Sequence, residues 1–149
     1  MDPRREVTIL LVEDNPDHAE LTLRALDDDG APKRVFWVKD GQEAMEFLQR
    51  RQRYADAASS PRPDLILLDL KLNKISGTEV LSRIKAEDGL RTIPVVMLTT
   101  SEREREVNES YRAGVNSFVT KPARFNEFVA QVRTIAAYWF GTNRTPEVW

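Results

Sequence analysis

The stretch Pro63-Asp64-Leu65-Ile66-Leu67-Leu68-Asp69-Leu70 decides how this chain folds. A short, wholly apolar run lies between two acids. Its length, and the Arg62-Pro63 boundary before it, predict a strand buried on both faces. Asp69 then stands at the carboxyl end of a buried strand. In open α/β sheets that edge is where ligands bind. A lone Asp there carries little weight, because many such residues only cap the next element. Three other strand-like runs also end in reactive side chains, at Glu13-Asp14, at Thr99 and at Lys121.

Working outward, Val7 to Val12 reads as a first, central strand. Asp14 or Asn15 can cap the helix that follows, with Pro16 near its first position. Leu21, Ala25 and Leu26 give that helix its apolar face, and Asp27-Asp28-Asp29-Gly30 should stop it. Arg34 to Val38 is a less uniformly apolar strand, suited to an edge. Asp40-Gly41 opens a helix with Ala44, Phe47 and Leu48 on one side. From Arg50 to Arg62 the pattern dissolves into a long loop, read as a surface insertion. After Asp69 a loop leads to a helix carrying Val80, Leu81 and Ile84. Ile93 to Leu98 is a fourth strand, with Pro94 at its start where no ladder donor is lost. The next helix is polar, with Val107, Tyr111 and Ala113 as its anchors. Asn116 to Thr120 is a fifth strand. The last helix repeats Phe125, Phe128, Val129, Val132, Ile135, Ala136 and Trp139 at three- and four-residue steps.

Strands alternating with helices imply a parallel sheet covered on both faces, an α/β doubly wound domain of five strands and five helices. The expected boundaries are a tail at 1–5, the domain at 6–140 and a tail at 141–149. The 149 residues suffice for one core. A net charge of −2 offers no basic excess for nucleic acid or a membrane surface. The chain has no Cys and one His, which excludes disulfides and argues against a multi-His metal site or a Ser-His triad. No signal peptide or transmembrane run is found, and a cytoplasmic protein is expected.

In a parallel sheet all strand carboxyl ends share one edge, so Glu13, Asp14, Asp69, Thr99 and Lys121 can converge. Crowded carboxylates raise each other's pKa, and a divalent cation relieves that repulsion. Hard oxygens suit Mg2+. Lys121 adds a positive charge and Thr99 a hydroxyl. Such a set around one carboxylate suits phosphoryl transfer, with Asp69 as the nucleophile. Singly, each residue has a plainer explanation: a helix cap for Asp14, a strand end for Thr99, a solvated loop lysine for Lys121. Jointly, at matched strand ends, those explanations lose their force.

Four motifs carry a resemblance: Val12-Glu13-Asp14-Asn15, Leu67-Leu68-Asp69-Leu70 with Gly77 after it, Leu98-Thr99-Thr100, and Thr120-Lys121-Pro122. Together they resemble the response-regulator receiver domain of two-component signalling (CheY-like, flavodoxin-like), over about residues 6 to 140. The resemblance implies strand order 2-1-3-4-5 and a phosphoacceptor at Asp69. It implies metal ligands at Glu13, Asp14, Asp69 and the backbone carbonyl of Lys71. It also implies a switch hydroxyl at Thr99, a paired lysine at Lys121 and a rotameric aromatic at Phe118. Asn73 stands where the family often has Pro, which puts the rigidity of that loop in question, and Lys71 places a long cation near the site. The loop after the second helix, the Leu-Thr-Thr-Ser run, Gly114 to Ser117 and the aromatic end of the last helix resemble the small single-domain regulators paired with bacterial phytochrome kinases. The implied partner is a sensor histidine kinase, of the bacteriophytochrome type in that narrower reading.

No output domain is read in the chain, so the signal is expected to leave by protein binding rather than by enzymatic activity. Tyr138, Trp139 and Phe140 have two readings: burial against the domain, or a homodimer interface along the fourth helix, fifth strand and fifth helix. Rival functions are a receiver-type binding module that is never phosphorylated, a magnesium-dependent phosphatase or phosphotransferase, and a flavin-binding domain. Lys71 stands where such phosphatases often carry a second Asp. No phosphate-binding loop follows the first strand, which ranks the flavin reading last.

Overall fold

The run before Asp69 forms a strand with a neighbour on each side in the computed structural model, which describes residues 6–27, 32–56 and 58–146. Along the chain the elements are β1 Val7–Val12, α1 Pro16–Asp27, β2 Lys33–Val38, α2 Gly41–Gln49, β3 Leu65–Leu68, α3 Gly77–Ala86, β4 Val95–Thr99, α4 Glu104–Arg112, β5 Ser117–Thr120 and α5 Phe125–Ala137. All strand pairs are parallel, and the sheet order is β2-β1-β3-β4-β5. This is the expected α/β sheet in the expected order. The order reverses between β1 and β3, where Val12 lies opposite Leu68. That places the residues after both strands side by side at a switch point.

Strand side chains alternate between two apolar layers. Leu10, Val12, Ile66, Leu68, Val95 and Met97 face Phe47, Val80, Leu81 and Ile84 of α2 and α3. Ile9, Leu11, Leu65, Leu67, Val96 and Leu98 face Ala19, Ala25 and Leu26 of α1 and Phe128, Val132 and Ile135 of α5. Residues buried on both faces need no polar alternation, which is why β1, β3 and β4 read as unbroken hydrophobic runs. β2, at the edge, is half-buried over most of its length. Among the described residues no helix is long and apolar enough to cross a membrane.

Local signals set the helix starts. The Asn15 side chain accepts the backbone N–H groups of Asp17 and His18, so Asn15 rather than Asp14 caps α1. Asp40 caps α2 and Ser76 caps α3 through the N–H groups of Glu43 and Glu79. α4 has no side-chain cap at Arg103. Its anchors differ from those expected. Tyr111 is exposed, Val107 and Ala113 are half-buried, and Ser110 is the buried residue. The Ser110 hydroxyl satisfies itself on the Glu106 carbonyl at 2.9 Å, which lets a polar side chain occupy the inner face. Phe125, expected on the inner face of α5, is the first residue of the helix and is 58% exposed.

The loop after α2 is pinned rather than loosely inserted. It holds a 3-10 turn, Gln52–Tyr54. The Tyr54 ring packs edge-on against Phe47, and its hydroxyl donates to Glu43 at 2.7 Å. Buried Ser60 donates to the Tyr54 carbonyl, and Arg50 donates to the Ser60 carbonyl. At the far end, a π turn, Tyr138–Thr142, continues α5, and Thr145 beyond it is buried. The expected tail at 141–149 thus begins inside structured chain. The tail at 1–5, the stop at Asp28-Asp29-Gly30 and Trp149 lie outside the described residues.

Gly77 opens α3 against the loop that follows β3, with its N–H on the Leu70 carbonyl at 2.9 Å. A Cβ there would fall on the Asp69 carbonyl oxygen and lie 2.7 Å from Leu70 Cα. Both obstacles are backbone, which cannot rotate away. Gly77→Ala is therefore expected to lower the unfolding free energy by about 3 kcal/mol, read as a lower urea midpoint at unchanged m. A loss under about 0.5 kcal/mol would mean that this loop yields freely.

Candidate functional site

The ladder carries three of the expected residues one step past their strands. Glu13 N–H donates to the Val38 carbonyl, Asp69 N–H to Val12 and Lys121 N–H to Thr99. Their backbones are thereby fixed at the carboxyl edge before any side chain is placed. Asp69 and Lys121 are almost fully buried, and Glu13 is 2% exposed.

The Lys121 ammonium is the hub. It hydrogen-bonds Glu13 Oε1, lies 3.4 Å from Asp69 Oδ2 and 3.0 Å from His18 Nδ1. An ammonium has three N–H bonds, and here each has an acceptor. The remaining carboxylate oxygens are also occupied. Asn15 N–H donates to Glu13 Oε2 and Lys71 N–H to Asp69 Oδ1, both at 3.2 Å. The indole N–H of Trp37, on the edge strand, donates to the Glu13 carbonyl at 2.8 Å.

Glu13, Asp14 and Asp69 each offer a carboxylate oxygen, all within 4.8 Å of one another. Asp14 is half-exposed and keeps an open side. Three carboxylate oxygens so close together fit a hard divalent cation. Burial, more than crowding, pushes the Glu13 carboxyl up to about 7. Lys121 pulls it back, and Asp69 adds to the rise. A cation beside these oxygens would act in the same sense as Lys121. The Lys71 peptide lies next to Asp69 through its N–H, and the Lys71 side chain is exposed.

Thr99 is fully buried, and its hydroxyl accepts from Ser101 N–H at 3.4 Å. Ser101 in turn donates to Glu106 in α4, and its carbonyl accepts from the Thr120 hydroxyl at 3.3 Å. Thr99 is thus linked through one loop residue to α4 and to β5. Phe118 is half-buried against the α2–α3 layer. Despite Asn73, the loop after Asp69 is tied down. Ile75 N–H donates to the Asn73 carbonyl, Lys74 pairs with Asp40, and Leu72 and Ile75 pack on the core. A cavity of about 510 Å3 opens beside Lys121, lined among others by His18, Thr100, Phe125 and Phe128.

His18, Trp37, Ser101 and Glu106 are the site residues that sequence reasoning missed. His18 was legible in one respect. It sits in the first turn of α1, and helical side chains lean back toward the N-terminus, here toward the strand edge. The aromatic end of α5 divides. Trp139 is buried in the chain's own core, with Tyr138 edge-on to it, Tyr138 half-exposed and Phe140 half-buried. Of the two readings of this aromatic end, Trp139 takes burial against the domain, where its ring joins the α1–α5 layer.

The model of the response regulator receiver domain matches residues 9–133. The probable methanogenesis regulatory protein FilR2 of Methanothrix harundinacea is 43% identical over 138 residues, 93% of this chain and 86% of that protein. Response regulator Rcp1 of Synechocystis sp. is 41% identical, over 93% of this chain and 92% of its own. The manganese-bound crystal structure of Rcp1 superposes with a TM-score of 0.88 at 40% identity, covering 94% of this chain and 99% of that one. The phosphorylated cyanobacterial phytochrome response regulator RcpA superposes with a TM-score of 0.91 at 41% identity, covering 96% and 100%.

Asp14→Asn is expected to weaken divalent-cation binding at least about tenfold, since it removes the open carboxylate of the cluster. Trp37 fluorescence can follow the titration, because its N–H bonds the residue beside Asp14. Unchanged affinity would place the cation elsewhere.

Proposed function

The chain belongs to the response regulator receiver domain family, and from that premise we propose that Asp69 is its phosphoacceptor. One observation carries the reading: a buried ammonium from the end of β5 held between an acid from β1 and Asp69 from β3. A plain surface carboxylate has no use for so costly a neighbour. The donor is a phosphohistidine on a sensor histidine kinase. Asp69 attacks phosphorus through a carboxylate oxygen, the phosphorus–nitrogen bond breaks, and an acyl phosphate forms.

Lys121 meets the charge on the transferred group, and the Lys71 N–H orients the Asp69 carboxylate. Magnesium is the cation that suits this site; Glu13, Asp14, Asp69 and the Lys71 carbonyl would hold it. When bound it neutralises phosphoryl oxygens that Lys121 alone leaves unpaired. Thr99 turns its hydroxyl to the phosphoryl group and gives up the Ser101 N–H. That loosens the Ser101 link to Glu106 and shifts α4, a helix with one buried residue and no capping side chain. Phe118 follows as the side chain that repacks. The protein signals by binding and, beyond its own phosphorylation and dephosphorylation, transforms no substrate. It works in the cytoplasm, where ATP-charged kinases are found.

A phytochrome of the bacterial type is the kinase class we assign, supported by the likeness to the cyanobacterial phytochrome response regulator RcpA along nearly the whole chain. Phosphotransfer from a purified phytochrome kinase tests that pairing. The second reading, a module that binds without phosphorylation, draws on the pairing of Lys121 with Glu13, which already balances the ammonium charge in the absence of a phosphoryl group.

Incubation with magnesium and acetyl phosphate, followed by intact mass, is expected to add one phosphoryl group. Asp69→Asn and a chelator should each abolish it. A folded, magnesium-binding parent that takes no group from acetyl phosphate or a kinase would establish the second reading instead.

A homodimer along α4, β5 and α5 is supported by the edge position of β5, half-buried throughout, and by exposed Tyr111 and Tyr138. Tyr138→Glu, in contrast to Trp139→Glu, leaves the core intact. It is expected to convert the dimer to monomer in sedimentation. An unchanged dimer would exclude this face.

A further inference from the structure

Two of the three partners of the Lys121 ammonium are acids that would attract any cation. The third, His18 Nδ1 at 3.0 Å, is an imidazole nitrogen on α1. We propose that His18 is a positioning residue for Lys121, whose Nδ1 lone pair directs one N–H so that another is aimed at Asp69. The inference rests on Asp69 being the phosphoacceptor.

The proton assignment follows by elimination. An ammonium only donates, so Nδ1 must be bare and the imidazole proton must sit on Nε2. The ring is well placed to hold that state. Its backbone N–H is capped by Asn15, and its carbonyl accepts from Thr22 at 2.8 Å. It lies against Phe128, with ring centroids 6.3 Å apart.

The three bonds are unequal. Those to Glu13 and His18 are within ordinary hydrogen-bond reach, while the one to Asp69 is 3.4 Å, long for a charge-assisted bond. The long bond is the one available for exchange with a phosphoryl oxygen. His18 Nδ1 and Glu13 Oε1 lie 4.0 Å apart, so they engage neighbouring N–H bonds. With both engaged, the ammonium cannot rotate, and the third N–H stays on Asp69. With His18 removed, Glu13 is the only short partner. The ammonium can then swing about that bond and spend time turned away from the phosphoryl position.

The chain has one histidine, so an imidazole 15N spectrum reports this ring alone. The parent should show Nδ1 unprotonated and Nε2 protonated. His18→Leu should slow phosphorylation by acetyl phosphate about fivefold, and His18→Asn, whose amide oxygen can accept, should return it to within about twofold. The Lys121 ammonium 15N signal should broaden in His18→Leu and sharpen again in His18→Asn. A proton on Nδ1 in the parent would overturn the proposal without reference to any variant. So would a folded His18→Leu protein phosphorylated at the parent rate. A parent that takes no phosphoryl group would overturn the Asp69 reading, while the tautomer and ammonium spectra would still decide the Lys121–His18 bond.

Discussion

A buried ammonium ion must be surrounded by acceptors, and much of this structure can be understood as meeting that demand at Lys121. Its partners come from the ends of β1 and β3 and from the first turn of α1. Taking an ammonium and two carboxylates out of water costs several kcal/mol per ion, which the pairing only partly returns. The two apolar layers on either side of the sheet bear that cost. They are formed by strands whose residues are buried on both faces, so the edge they present is rigid. The rise of the Glu13 carboxyl toward neutrality has the same origin, since burial outweighs the pull of Lys121.

Rigidity is unevenly distributed around that edge. The loop after Asp69 is fixed by Gly77 against the Asp69 and Leu70 backbone, by two apolar side chains and by the Lys74–Asp40 pair. The opposite side is different. α4 has one buried residue, no capping side chain, and a tether from Ser101 to Glu106. The same serine bonds Thr99 and Thr120. A change of charge at Asp69 would therefore meet a stiff wall on one side and a lightly held helix on the other. Such an arrangement sends displacement in one direction.

The aromatic residues that looked alike in sequence have separate tasks. Trp139 completes the layer between α1 and α5, Tyr138 stands against it and reaches solvent, and Phe125 lines the cavity beside Lys121. Periodicity places all of them on or near one helical face. It does not record that Phe125, at the first position of α5, stands outside the core.

The sheet was legible in the residues alone, because strands buried on both faces need nearly continuous apolar runs and the helices between them need a 3.6-residue stripe. The sequence also determined that Glu13, Asp14, Asp69, Thr99 and Lys121 share an edge, since parallel strands have all their carboxyl ends on one side. Tertiary structure alone decided the partners. That Lys121 meets His18 across 103 positions, that Trp37 holds the Glu13 carbonyl, and that Ser110 rather than Tyr111 faces inward depend on distances across elements. Hydrogen bonds reach only about 3 Å, and no one-dimensional pattern encodes which side chains come that close.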